Sequence, residues 1–201
     1  MNRGSLENLL NVYRQATRNE REAGKLYYRN QRDRIDALGQ KYGFGLEASV
    51  GAFAALSPNS READTYRDLA VCMKHVLTGS SGKPVVSAYP RNCAKAMIIL
   101  RGKEPEGVLK GSKVQSFYHN TIDPDDAAWV TIDGHMVSAW VGNRLSMKRE
   151  ARVSESEYRQ IRRHVIEAAT SVGILPSQFH STIWLVRRRI NRYGRQLPFD
   201  F

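Results

Sequence analysis

Apolar residues return at helical spacing along almost the whole chain. From Ser5, Leu6, Leu9, Leu10 and Tyr13 fall on one stripe, and a polar continuation reaches Ile35 and Leu38 before the breakers Gly39, Gly43 and Gly45, which predicts one or two amphipathic helices. Leu46 to Leu56 is small and apolar all round, as a central buried helix is, and stops at Ser57-Pro58-Asn59-Ser60. A helix from about Arg61 to Leu77 turns Tyr66, Leu69, Ala70, Met73 and Val76 inward and ends at Gly79-Ser80-Ser81-Gly82. Pro90 is placed to start the next, carrying Ala94, Met97, Ile98 and Leu100 to a stop near Gly102. Beyond it the pattern predicts a turn over Pro105 to Leu109, a helix around Val114 to Tyr118, and a loop holding Asp123-Pro124-Asp125-Asp126. Ser154-Glu155-Ser156-Glu157 forms a capping-box sequence ahead of Tyr158, Ile161, Val165 and Ile166, and a last helix follows Pro176 through Ile183, Trp184, Val186 and Ile190 to Gly194. Only Val130-Thr131-Ile132 reads as extended, and three residues do not make a sheet. The fold class expected is all-α, a bundle of roughly eight to ten helices in one or two lobes. A single domain over 1–201 is the default; the breaks near Gly79-Gly82 and Arg144-Ser154 allow a middle lobe over about 60–145, with the two ends of the chain forming the other.

Composition narrows the class. With 201 residues, 41% hydrophobic and 25% charged, the chain is long enough to bury a sizeable core. Its longest apolar runs are too short to cross a bilayer, and Met1 leads into no basic-then-apolar signal, so a soluble cytoplasmic protein that makes no use of a membrane is expected. Cys72 and Cys93 are the only cysteines, which rules out a disulfide framework and a four-thiolate metal set and leaves buried thiols as the expectation. The net charge of +11 points to a polyanionic partner, nucleic acid first. Arg144, Lys148, Arg149 and Arg152 cluster together, Arg159, Arg162 and Arg163 follow, and Arg187, Arg188, Arg189, Arg192 and Arg195 crowd the C-terminus. Such groups neutralise phosphates and make affinity fall with salt; the alternative for any one of them is a solvated helix face.

Four short phrases occur in an order that resembles the core of the helix-hairpin-helix DNA glycosylases. They are Ala55-Leu56-Ser57-Pro58-Asn59, then Tyr89-Pro90-Arg91-Asn92-Cys93-Ala94-Lys95-Ala96, then Leu109-Lys110-Gly111-Ser112-Lys113, and finally Ile132-Asp133-Gly134-His135 followed by Met136, Val137 and Trp140. The likeness covers roughly Ala48 to Arg144, about half the chain, and its weight lies in the order and spacing of the phrases. It implies an endonuclease III-like core that binds duplex DNA and flips a base out of the stack. Asn59 is then placed to probe the base stack, Lys110, Gly111 and Ser112 to grip the backbone, and His135, Arg144, Lys148 and Arg149 to contact phosphate. Tyr89, Phe117, Tyr118 and Trp129 become candidates to line a base pocket, although aromatics at helical spacing also serve as core. The chain departs from the family at the hairpin, which lacks its second glycine, and at the C-terminal side, where no cysteine follows Cys93 to ligate an iron-sulfur cluster. No cofactor and no metal are therefore expected. The same resemblance extends to divergent bacteriophage proteins.

The resemblance makes Asp133 the central residue. Breaking an N-glycosidic bond builds positive charge on the sugar, so a carboxylate beside that carbon acts most strongly in the transition state. A position just before a helix suits it, because as N-cap it would accept a backbone N–H near His135 or Met136 and be held in one orientation. The alternative is an ordinary cap whose loss costs about 1 kcal/mol and no chemistry. Lys113 is the second catalytic candidate: in family members with lyase activity a lysine after the hairpin attacks the sugar carbon as a neutral amine, whereas a surface lysine in the same place contacts a phosphate.

The function expected from these residues is a monomeric DNA glycosylase acting on a damaged or modified base, with Asp133 stabilising the sugar cation and water or Lys113 as nucleophile. Two alternatives stay open: a glycosylase-like transferase of bacteriophage thymine hypermodification, and a DNA-binding module without catalysis. Protein partners and the identity of the base are not specified by the sequence.

Overall fold

The computed structural model describes residues 4–143 and 153–193, and among these it contains ten helices and no strand. In chain order they are α1 (Leu6–Arg14), α2 (Arg18–Lys41), α3 (Leu46–Leu56), α4 (Glu62–Leu77), α5 (Pro90–Leu100), α6 (Pro105–Val108), α7 (Ser112–Ile122), α8 (Gly134–Val141), α9 (Glu155–Ser171) and α10 (Pro176–Tyr193). No helix among the described residues is long and apolar enough to cross a membrane. The chain divides into two compact units, one built from the residues up to Tyr28 together with those from Asp125 onward, the other from Arg29 to Pro124. The first division falls inside α2, and each unit has its own core.

In the Arg29–Pro124 unit, α3 is the central element. From Ser49 to Leu56 every residue is buried, and the helix packs against α4, α5, α6 and α7. Glycine and alanine along α3 let neighbours come close: a Cβ at Gly51 would lie 2.6 Å from Cγ of Pro105, the first residue of α6. Phe53 and Leu56 of α3 and Leu69, Met73, Ile99 and Leu109 around it are fully buried, each contributing about 1.5–3 kcal/mol relative to exposure. Two elements differ from the sequence expectation. The Pro105–Leu109 segment is a short helix, closed by the Leu109 amide donating to the Pro105 carbonyl at 2.7 Å, because Pro105 presets the first helical φ. The helix expected around Val114 to Tyr118 runs the full length Ser112–Ile122; its polar ends hide it from an apolar pattern. Cys72 and Cys93 are buried free thiols, and burial pushes both thiol pKa values up.

The other unit gathers α1, the first part of α2, α8, α9 and α10. Leu9, Val130, Met136, Val137, Ile161, Val165, Phe179 and Ile183 make its core. Helix α1 starts at Ser5, whose Oγ accepts from the Asn8 amide at 3.1 Å, and the Asn8 side chain donates to the Trp140 carbonyl at 2.9 Å, tying α1 to the end of α8. That end is closed by Gly142 in the left-handed conformation (φ 81°), which a β-carbon would strain. Helix α9 is capped by Ser154 Oγ, which accepts from the Glu157 amide at 3.2 Å.

Candidate functional site

Asp133 sits where an extended tripeptide ends and α8 begins. Val130, Thr131 and Ile132 are buried, and Asp133 itself, half-buried with φ −103° and ψ 179°, is the N-cap: its Oδ1 accepts from the Met136 amide at 2.9 Å. The cap fixes the carboxylate's direction, and a polar network fixes the backbone that carries it. Tyr158 of α9 donates from its hydroxyl to the Val130 carbonyl at 3.0 Å and accepts from the Ile132 amide at 3.3 Å. Tyr28 of α2 donates to Thr131 Oγ1 at 3.1 Å, and its oxygen lies 3.2 Å from Nδ1 of His180 on α10. Complete burial raises the Tyr28 hydroxyl well above its ordinary range, with the nearby Tyr27, Asp133 and Tyr158 adding to the effect, so it remains a neutral donor. Three helices therefore converge, through side-chain hydrogen bonds, on the segment that delivers Asp133.

Beside this segment lies an aromatic surface. His135 meets the Trp184 ring edge-on with centroids 6.4 Å apart, Tyr27 meets it at 5.4 Å, and the Arg188 guanidinium lies 4.3 Å above it. Trp184 and Arg188 are one helical turn apart on α10, which is what brings cation and ring together. Trp129, another sequence candidate, is half-buried just before the tripeptide.

The remaining candidates belong to the Arg29–Pro124 unit. Lys110 and Lys113 are exposed, and between them Gly111 is the N-cap of α7 with φ 90° and ψ 135°, a conformation that requires glycine. Leu109, Lys110 and Gly111 thus connect two helices, α6 and α7, and Gln115 of α7 donates back to the Leu109 carbonyl at 3.2 Å. His119 and Glu106 approach to 3.6 Å and link the same two helices again. Asn59 is exposed at the corner after α3 and is the one non-glycine residue with positive φ, 61°, among the described residues. Tyr89 is 52% exposed at the start of α5, whereas Tyr118 is buried in the unit's core and Phe117 stacks against Phe53 at 6.2 Å. Burial, helped by Glu47, Glu106 and Glu104, pushes the Tyr118 hydroxyl up to about 12. Arg144, Lys148, Arg149, Arg152 and Arg195 lie outside the described residues.

Sequence reasoning missed the groups that position these candidates. Tyr158 reads as an ordinary stripe residue and Tyr28 and His180 carry no signal in the sequence; what distinguishes them is that Tyr28 and Tyr158 bond to Val130–Ile132 and His180 lies against the Tyr28 hydroxyl. Asp68 was missed as well. It is 1% exposed in α4, and its Oδ2 accepts from the Ser87 amide at 3.0 Å, the Ser87 hydroxyl at 2.7 Å and the Ala88 amide at 2.9 Å, which fixes the chain immediately before Tyr89. A buried acid on the apolar side of a helix was the available signal. Among the described residues no group of three or more His, Cys, Asp or Glu is arranged to hold a metal ion.

No curated protein and no solved structure matches this chain. Residues 2–191 match the model of a family described as a family of unknown function, DUF7178, and with nearly its whole length covered the chain belongs to that family.

Proposed function

We propose that this protein is a DNA-acting enzyme of the helix-hairpin-helix glycosylase type, cleaving the N-glycosidic bond of a damaged or modified base flipped from duplex DNA. The observation that carries the reading is the fixed carboxylate of Asp133, capped onto α8 and preceded by a tripeptide that Tyr28 and Tyr158 clamp. A preorganised anion of this kind stabilises an oxocarbenium-like sugar without reorganising at the moment of reaction.

Other features support the DNA side of the reading. The link through Leu109, Lys110 and Gly111 between α6 and α7 supplies a glycine turn at a helix start, with two exposed lysines flanking it, a combination suited to a phosphate. The net charge of +11 favours a polyanion such as DNA over neutral or basic partners. Lys113, exposed on the first turn of α7, serves in this proposal as a phosphate contact, and water is the nucleophile.

The test is to incubate the protein and Asp133→Asn with duplexes carrying uracil, hydroxymethyluracil, oxidised or alkylated bases and to analyse free bases and nucleosides by mass spectrometry. Release of a base by the wild type and its loss in Asp133→Asn, with salt-sensitive DNA binding retained, is the expected result. Borohydride added during turnover traps a covalent adduct only if an amine attacks the sugar, so its absence is expected. DNA binding with no base released from any duplex, and no altered nucleoside, would overturn the enzymatic reading.

A further inference from the structure

A cavity lies wholly within the unit of α1, the start of α2, α8, α9 and α10, and uses none of the residues assigned to the N-glycosidic chemistry. Its volume is about 570 Å³, inside the span of about 300–1,000 Å³ typical of small-molecule sites. One wall is the first two turns of α2, where Arg18, Arg21 and Lys25 stand at i, i+3 and i+7 and so share a face. Glu22 is the single acid in the lining and pairs with Lys25 at 3.1 Å, so cations outnumber carboxylates three to one.

Arg21 is the most telling of these residues. Its Nε is buried and has no hydrogen-bond partner, although a guanidinium nitrogen withdrawn from water ordinarily finds an acceptor. The guanidinium is held over the Tyr13 ring at 5.1 Å, and Tyr13 in turn stacks on Phe179 with centroids 5.0 Å apart and planes at 18°. The guanidinium is thus fixed by aromatic packing, and its Nε is left without an acceptor. A planar guanidinium with two further cations on the same face fits a phosphate, whose oxygens accept several charge-assisted hydrogen bonds at once. Across the cavity the chain leaving α9 contributes Val172, 36% exposed, and Ile174, an apolar wall for the uncharged part of a ligand.

We propose that this cavity binds a nucleoside phosphate, its phosphate on Arg18, Arg21 and Lys25 and its base and sugar against Val172 and Ile174. The nucleotide is either free or the 5′-terminal residue of a DNA strand. The proposal stands apart from the base-excision reading, because a nucleotide site in this unit neither requires nor implies turnover at Asp133.

Calorimetric titration of the full chain with deoxythymidine 5′-monophosphate, thymidine, and a single-stranded oligonucleotide with and without a 5′-phosphate tests it. The nucleotide or the 5′-phosphorylated strand is expected to bind at least about tenfold more tightly than its unphosphorylated counterpart. Arg21→Gln and Arg18→Gln should each remove most of that preference, and Glu22→Gln should increase affinity. Arg21→Lys keeps the charge and the packing on Tyr13, so partial recovery there together with an unchanged circular dichroism spectrum separates lost binding from lost folding. A free ligand is indicated when the mononucleotide matches the strand, a terminal one when only the phosphorylated strand binds; both support the site provided the arginine variants abolish the preference. Absence of any phosphate preference, or a preference that survives both arginine substitutions in folded protein, overturns it.

Discussion

The hydroxyl of Tyr158 donates to the carbonyl of Val130 at 3.0 Å across 28 positions of sequence, and the same oxygen accepts from the Ile132 amide. One side-chain atom therefore satisfies two buried backbone groups in the segment that delivers Asp133. Tyr158→Phe leaves both groups without that partner, and a buried unsatisfied group costs about 1–3 kcal/mol. The expected outcome is a fall of that size in the free energy of urea unfolding and, under the proposed role of Asp133, a turnover reduced further than the stability loss explains, because Asp133 loses its fixed direction. Turnover per folded molecule equal to that of the wild type would show that the clamp serves stability alone.

At Asp133 the cap and the charge can be separated. Serine is as good an N-cap as aspartate, whereas alanine is a poor one, so Asp133→Ser should leave thermal stability nearly unchanged and Asp133→Ala should lose about 0.5–2 kcal/mol. Under the proposed base-excision role, base release should be abolished in both. If Asp133→Ser remains active on the wild-type substrate, the residue is a cap and nothing more.

Glu20 links stability to acid. Burial alone would push its carboxyl up, but the hydrogen bond from Arg189 and the Thr17 amide, with the Arg189 charge, outweigh it and hold the group below its ordinary 4.5. Because the folded pKa is the lower one, the stabilisation is fully present above about 4.5 and is lost as pH falls through the folded value. Glu20→Gln should therefore lower the melting temperature at pH 7 and flatten its decline below pH 4.5, which a pH series of thermal melts reads directly. A parallel decline in variant and wild type would exclude Glu20 as a source of the acid sensitivity.

Gly51→Ala sets helix propensity against packing. Alanine gains about 0.5–1 kcal/mol in a helix interior, but its methyl would meet Pro105 at 2.6 Å and Ile99 at 3.2 Å, and overpacking costs about 1–3 kcal/mol. The collision outweighs the gain in propensity, so net destabilisation is expected in chemical unfolding. A more stable variant would mean that α6 moves aside at little cost.

Much of the helical framework was legible because apolar spacing and punctuation agreed: Pro90 starts α5, Ser154 caps α9, Pro176 starts α10, and the run Leu46–Leu56 is the buried central helix. The cap at Asp133 was legible for the same local reason. Helix α6 was not, since four residues are too few to show a period, and neither was the division within α2, where no glycine or proline stands at Tyr28–Arg29. The support behind Asp133 was hidden for a different cause. Tyr28 and His180 lie 152 positions apart, and a tyrosine on an apolar stripe looks the same whether its hydroxyl meets solvent or a buried histidine. The cationic face of α2 could be seen as Arg18, Arg21 and Lys25 at helical spacing, but the ring that pins Arg21 comes from α1.

The interleaved path of the chain sets the order in which its parts become available during synthesis. Leu9, Val12 and Tyr13 of α1 are buried against residues that follow Asp125, so the apolar face of the first helix is made long before its partners. At about 5–20 residues per second the ribosome needs roughly 5–20 s to pass through the intervening unit. Once complete, the Arg29–Pro124 unit has all of its own core in hand, while α1 must still wait for its partners with its apolar stripe uncovered. A nascent chain halted once Pro124 has left the ribosome should accordingly carry a protected middle and a protease-sensitive α1.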